Sequence, residues 1–290
     1  MGTRTIRVTH ERSHTPHEGF RNPLPYYNYY RAEIVKNCCM RLIYFVFSID
    51  CRYSVGGGKA PPEYGKFHAS LQNLTGHHVC GSAIVSKNHL VTAAHCVVGA
   101  DPQYIKVIVG TIDLDEGGLP YKIDFIHIHP KYNSTLRLND IAVLKIKGDF
   151  DASYVDVLKI AEDKPKEDED ILLVGFGAQT PNGESGRRML ALNLTVFCQE
   201  TCRYAMRYTR HVYDTMFCTF TKKGQGTCHG DSGSPLTRNG LLIGIVSWGI
   251  PCGIGFPDVH TRIAPYAKWI NGIVGESTKD KCRAKVKVKV

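Results

Sequence analysis

Residues 228–236 read Cys-His-Gly-Asp-Ser-Gly-Ser-Pro-Leu, and Ser232 at the centre of the run is a candidate nucleophile. A serine hydroxyl attacks a carbonyl only when a base takes its proton and fixed donors receive the charge that grows on the carbonyl oxygen. Glycines at 230 and 233 leave the backbone open on either side. The N–H groups of Gly230 and Ser232 could therefore face one point and form an oxyanion hole. Asp231 stands between them, where a carboxylate can hold the loop in shape. Gly, Asp and Ser are also common turn residues, so this run alone does not separate a nucleophile from a polar bend.

Two further stretches separate them: Val-Thr-Ala-Ala-His-Cys at 91–96 and Leu-Asn-Asp-Ile-Ala-Val-Leu at 138–144. Together the three segments resemble the catalytic segments of the chymotrypsin-like (trypsin-fold, S1) serine proteases, in that family's chain order of His, then Asp, then Ser. The resemblance runs from about residue 54 to about residue 275, and its flavour is that of invertebrate chymotrypsin-like digestive proteases. It implies that His95 takes the proton from Ser232 and returns it to the leaving amine, while Asp140 holds the imidazole in one tautomer and stabilises the imidazolium. Imidazole titrates near neutral pH and can do both jobs.

The elements that must position these residues are short and β-rich. Runs at 81–85, 105–109 and 141–146 alternate with Gly, Pro, Asn and Asp turns, and a second set follows at 171–174, 190–196, 241–247 and 258–263. No long helical period interrupts them. This pattern predicts an antiparallel all-β architecture. The charged stretch at 162–170 reads as a solvated linker between two halves. With the resemblance, the expectation is two antiparallel Greek-key β-barrels, one over about 54–160 and one over about 171–265, with the active site between them. Ile263, Tyr266, Ala267, Ile270 and Val274 recur at helical spacing, which matches a C-terminal helix at about 263–274.

The flanks read differently. Of the formal charge of +9, residues 1–50 carry +3 and residues 276–290 carry +4, leaving only +2 on the body. A nucleic-acid face would need its Lys and Arg gathered within the fold, so no nucleic-acid partner is expected. Residues 1–53 form a leader or propeptide without sustained period. Its one apolar run, at 42–49, is too short to span a bilayer and about as long as a signal-peptide core. Two alternatives stand: a signal segment at 40–51 with Met40 as the true start, or a disordered leader. The basic tail at 276–290 reads as disordered.

By resemblance, the run Arg-Tyr-Ser-Val-Gly-Gly at 52–57 is an activation junction. A cut there would free an α-amino group on Ser54 that inserts beside Asp231 and orders the oxyanion loop. The family normally has isoleucine at that terminus, and Tyr53 stands where a basic residue is usual. Two alternatives follow: unusual activation by a cut after tyrosine, or a junction spliced wrongly in the sequence.

Eleven cysteines point to an oxidising, extracellular compartment, hence to a secreted disulfide-bonded zymogen. Family position pairs Cys80 with Cys96, Cys202 with Cys218, and Cys228 with Cys252. A fourth family bridge is absent from both ends, since Ile171 and Arg238 hold its positions. Cys38, Cys39, Cys51, Cys198 and Cys282 are left over. Asn73, Asn133 and Asn193 open glycosylation sequons.

For the specificity pocket, Ser247, Trp248 and Gly249 match the strand that pairs with an extended substrate backbone in antiparallel fashion. The pocket floor carries Gly226 where trypsin-like members have Asp, and Asp258 stands where the family has glycine. The expected enzyme is a serine endopeptidase preferring large apolar or aromatic side chains, with Lys and Arg admitted through Asp258. Ser234, normally glycine, is a departure expected to be tolerated.

No cofactor or metal is expected. His127 and His129 form a His-x-His, but His129-Pro130 is also a structural feature of the family. Asp113, Asp115 and Glu116 read as a solvated acidic turn rather than a calcium loop. The partners are protein or peptide substrates and protein protease inhibitors, with no membrane span and a monomeric chain. The runner-up is a catalytically silent homologue serving as a binding or regulatory module, favoured only by the junction at Ser54. An esterase fits poorly, because residues 230–234 lack the final glycine of a Gly-x-Ser-x-Gly elbow.

Overall fold

The computed structural model describes residues 57–275. The leader at 1–53 with its segment at 40–51, the junction residue Ser54, the tail at 276–290, and Cys38, Cys39, Cys51 and Cys282 lie outside the described residues. After a two-residue strand, β1 (Gly58–Lys59), six strands follow: β2 (His68–Gln72), β3 (His78–Ser86), β4 (His89–Thr92), β5 (Lys106–Val109), β6 (Leu119–Ile128) and β7 (Ala142–Ile146). They close antiparallel in the order β2-β3-β4-β7-β6-β5, with β5 returning to β2. Closure leaves no bare edge.

The second half repeats that plan. After β8 (Lys159–Ile160) come β9 (Asp170–Gly175), β10 (Leu190–Phe197), β11 (Met216–Thr219), β12 (Pro235–Arg238), β13 (Leu241–Gly249) and β14 (Asp258–Arg262). Their ring runs β9-β10-β11-β14-β13-β12 and closes by β12 on β9. Numbered within each half, both rings have the order 1-2-3-6-5-4. β1 adds to β10, and β8 adds to β13 in parallel. An eight-residue helix, α1 (Gln199–Met206), joins β10 to β11, and residues 267–275 form a second helix, α2.

Branched and apolar residues fill each ring: Ile84, Leu90 and Leu144 in the first, Leu194, Phe217 and Leu236 in the second, all 1% exposed or less. Each such side chain removed from water contributes about 1.5–3 kcal/mol before entropy is counted. A third cluster joins the rings, with Val91 and Val143 from the first, Leu242 and Ile245 from the second, and Tyr266 and Ile270 from the C-terminal segment. That shared core holds the two barrels against each other, so residues from opposite halves can meet. Among the described residues no helix is long and apolar enough to cross a membrane.

The 162–170 linker is largely exposed, as expected, but it is not slack. Arg238 at the end of β12 donates through Nη2 to Asp163 (2.7 Å to Oδ1) and through Nη1 to Glu169 (3.0 Å to Oε2). The register that sets Thr237 opposite Leu172 brings Arg238 across from Ile171. The two positions expected to lack a bridge are thus neighbours on adjoining strands.

Candidate active site

His95 leaves the end of β4 on a 3-10 turn, Ala94–Cys96. A disulfide from Cys96 to Cys80 on β3, with an S–S distance of 2.10 Å, ties that turn to the barrel. Asp140 precedes β7, placed by Asn139 in the left-handed region (φ 53°). Asn139 is itself fixed, donating Nδ2 to the Lys131 carbonyl (2.7 Å) and accepting the Tyr266 hydroxyl (2.8 Å).

The Asp140 side chain is wholly buried, and each of its oxygens is spoken for. Oδ1 accepts the His95 backbone N–H at 2.9 Å, and Oδ2 accepts His95 Nδ1 at 2.8 Å and the Ser247 hydroxyl at 2.6 Å. Burial pushes this carboxyl up, but the His95 hydrogen bond and charge, with the Ser247 bond, hold it below the usual carboxylate range. With Nδ1–H pointed at Asp140, Nε2 of His95 is the nitrogen left to accept a proton.

The 228–236 loop is held by backbone bonds from both barrels. Ser232 offers its carbonyl to Gly81 N (2.8 Å) on β3, while Gly233 N donates to Val246 O (2.8 Å) and Val246 N donates to Ser234 O (3.0 Å). Gly233 lies so close to the His95 turn that an added Cβ would sit 2.2 Å from Thr92 Oγ1 and 3.1 Å from Ala93 N. Ser232 therefore stands at the seam where His95 and Asp140 emerge. No hydrogen bond joins Ser232 Oγ to His95 among the described residues. The amides of Gly230 and Ser232 donate to no backbone carbonyl there.

Asp231 is buried beneath that loop, its Oδ1 accepting Gly177 N (3.0 Å) and its Oδ2 accepting Cys228 N (2.9 Å). Burial pushes it up to about 6 in spite of both bonds. Beside it lies a small cavity lined by Gly57, Gly175, Gly177, Leu190 and Leu192.

Two histidines outside the motifs also shape the loop. His78 Nε2 donates to Gly230 O (2.9 Å), while its Nδ1 meets Ser70 Oγ (2.7 Å). Burial pushes His78 down to about 4, so it is neutral and one ring nitrogen is free to accept. His68 Nε2 lies 3.2 Å from Ser234 Oγ, and burial pushes it down to about 3. Ser234, unusual as a loop residue, therefore has a partner of its own. Neither histidine carried a local signal, because their partners are 152 and 166 residues away in the chain.

Gly226, Asp258 and Gly249 come together. A Cβ on Gly226 would lie 2.7 Å from Asp258 Oδ2, and one on Gly249 would lie 2.9 Å from Asp258 Oδ1. Both glycines make room for the carboxylate. Oδ2 accepts Thr227 N at 2.7 Å, whereas Oδ1 is buried without a hydrogen-bond partner. Burial pushes Asp258 up to about 7. The Cys228–Cys252 disulfide ties the 228–236 loop to the neighbouring segment, and Cys202–Cys218 joins α1 to β11.

Asp113 and Asp115 pair with Arg188 (3.1 Å) and Arg187 (2.8 Å), and His129 packs edge-on against Tyr266 and Trp269. His127 lies tilted against Phe125, with ring centroids 4.6 Å apart.

This fold and this seam are those of the trypsin-fold serine proteases. The family model for Trypsin matches residues 54–270, and the chain belongs to that family. Its relatives include Chymotrypsin-2 of Vespa crabro, 34% identical over 74% of this chain and 97% of the relative. Trypsin epsilon of Drosophila erecta is 32% identical over 74% of this chain and 85% of its own. Among solved structures, neuropsin, a serine protease expressed in the limbic system of mouse brain, superposes with a TM-score of 0.69 at 27% identity, covering 76% of this chain and 99% of that one. The chain is a serine endopeptidase.

Proposed function

We propose that Ser232, His95 and Asp140 form the catalytic triad. Ser232 Oγ attacks the peptide carbonyl as its proton passes to His95 Nε2. Asp140 keeps the Nδ1 proton in place and stabilises the imidazolium. The oxyanion is received by the amides of Gly230 and Ser232. The proton then goes to the departing amine, leaving an acyl-enzyme that water hydrolyses by the same steps in reverse. The observation that carries this assignment is the buried Asp140 carboxylate with His95 Nδ1 and Ser247 Oγ on one oxygen, at 2.8 and 2.6 Å. That geometry leaves Nε2 as the base.

The pocket between Gly226, Ser247, Trp248 and Gly249 takes large apolar or aromatic side chains. Asp258 admits Lys or Arg as well, because Oδ1 is buried and unpaired beside Gly249. The enzyme acts outside the cell as a monomer after a cut that frees Ser54 to approach Asp231. Protein protease inhibitors are its other partners. Three disulfides and exposed sequon asparagines at 73, 133 and 193 support that compartment.

The test is hydrolysis of a peptide panel varying only the residue before the cut bond. It uses the full chain, the chain opened before Ser54, and the Ser232→Ala form of each. Cleavage lost in Ser232→Ala is the expected result. Cleavage equal in both forms would remove Ser232 from the mechanism. Activity in neither would mean that the Ser54 terminus does not activate the domain.

A further inference from the structure

Beyond the pocket, a second set of charges lines the approach to Ser232. β13 is paired with β14 through Gly249, but its other edge is covered only as far as Val246. Residues 247–249 therefore present a bare strand edge on which an extended peptide can add. β13 runs from Val246, bonded to the nucleophile loop, outward to Gly249. A peptide lying antiparallel to it travels from Gly249 toward Ser232. Its residues ahead of the attacked carbonyl then lie along Trp248.

Two guanidinium groups from distant segments stand there. Arg210 lies with Cζ 5.3 Å from the Trp248 ring centroid, half-buried, and none of the ion pairs among the described residues involves it. Arg137, in the left-handed region at φ 53°, holds Nη1 3.9 Å from Asp140 Oδ2. That is beyond hydrogen-bond reach, and Nη1 is buried without a hydrogen-bond partner. Asp140 cannot serve it better, since its oxygens already accept from His95 and Ser247. Burial first, and then the Arg137 charge, push Arg210 down from its ordinary value against the opposing pull of Asp140 and Tyr132, and Tyr132 is hydrogen-bonded to Arg137. Two like charges, partly desolvated, share only the Asp140 carboxylate, whose oxygens already accept from His95 and Ser247, so a further anion between them would be favoured.

Resting on the triad assignment above, we infer that Arg137 and Arg210 form an anion subsite for an acidic side chain of the substrate, placed N-terminal to the residue whose carbonyl is attacked. The favoured substrates are thus peptides with Asp or Glu shortly before the cleaved position. A carboxylate there would accept from Arg210 beside the Trp248 ring and feel the charge of the partly exposed Arg137 guanidinium.

The experiment fixes the residue before the cut bond and places Glu, Gln or Lys in turn at each of the three residues preceding it. The expected kcat/KM ratio of Glu over Gln is about tenfold at one or more of these positions, as for a charge-assisted bond. It should shrink with added salt. Arg210→Gln should bring the ratio toward one, and Arg210→Glu should invert it in favour of Lys. A ratio of one at every position, or a ratio that both Arg210 variants leave intact, overturns the subsite. Calorimetric binding of the same peptides to the Ser232→Ala chain reads the preference without turnover. Tighter binding of the Glu peptides with no Ser232-dependent cleavage would retain the subsite and reject the triad. Cleavage without discrimination would do the reverse.

Discussion

Asp258 shows how one buried oxygen can set a preference. A carboxyl pushed up to about 7 is part protonated at neutral pH. Raising the pH strips that proton and leaves a charge that only a cationic side chain in the pocket would neutralise. Cleavage after Lys and Arg, relative to cleavage after aromatic residues, should therefore rise through about pH 7, measured as a ratio of kcat/KM values for paired peptides. Asp258→Gly should abolish the basic cleavage and spare the aromatic. Stability runs the other way. The folded-state value lies above that of the unfolded chain, so this group favours the fold at low pH, and its contribution is lost as pH rises through about 7. Asp258→Asn should flatten that part of a urea-midpoint profile; an unchanged profile would place the titration elsewhere.

Where strands meet the nucleophile loop, packing leaves almost no latitude. A Cβ on Gly81 of β3 would lie 2.0 Å from Ser234 Oγ and 2.9 Å from Ser234 Cα. Because the second contact is with backbone, Gly81→Ala should destabilise by about 1–3 kcal/mol. Ser234→Gly in the same chain should recover part of that loss, seen as non-additivity in a double-mutant cycle by urea unfolding. Simple additivity would mean that the clash is relieved some other way. The Cys80–Cys96 bridge acts on the neighbouring turn and closes a sequence separation of 16 residues. Replacing both cysteines by Ser should cost about 3 kcal/mol and lower kcat more than it raises KM, because the turn carries His95 and not the pocket.

The two barrels are one working unit because what joins them is specific. Val91, Leu242 and Tyr266 bury the seam, and Arg238 anchors the linker by gripping Asp163 and Glu169 at once. A guanidinium bonded to two carboxylates in one geometry is more than a lone surface pair. Arg238→Ala should lower the urea midpoint, and the loss should shrink at high salt, since Asp163 faces water and Glu169 is partly exposed. A loss independent of salt would assign the effect to packing against Ile171.

The strand runs and the three family-like segments were legible without coordinates, because strand alternation and turn chemistry are local properties of a chain. Ser232, Asp140 and His95 could be named from short motifs, and Asp258 stood out as an acid where glycine is usual. The partners of these residues were not legible. Whether Ser247 reaches Asp140, whether His78 holds the Gly230 carbonyl, and whether Ser234 meets His68 depends on segments 107, 152 and 166 residues apart. No pattern within a strand records such distances. They arise when each ring closes on itself and the two rings share a core, which also brings Arg137 and Arg210 within electrostatic reach of each other. Local chemistry named the candidate groups, and the closure of the barrels chose their neighbours.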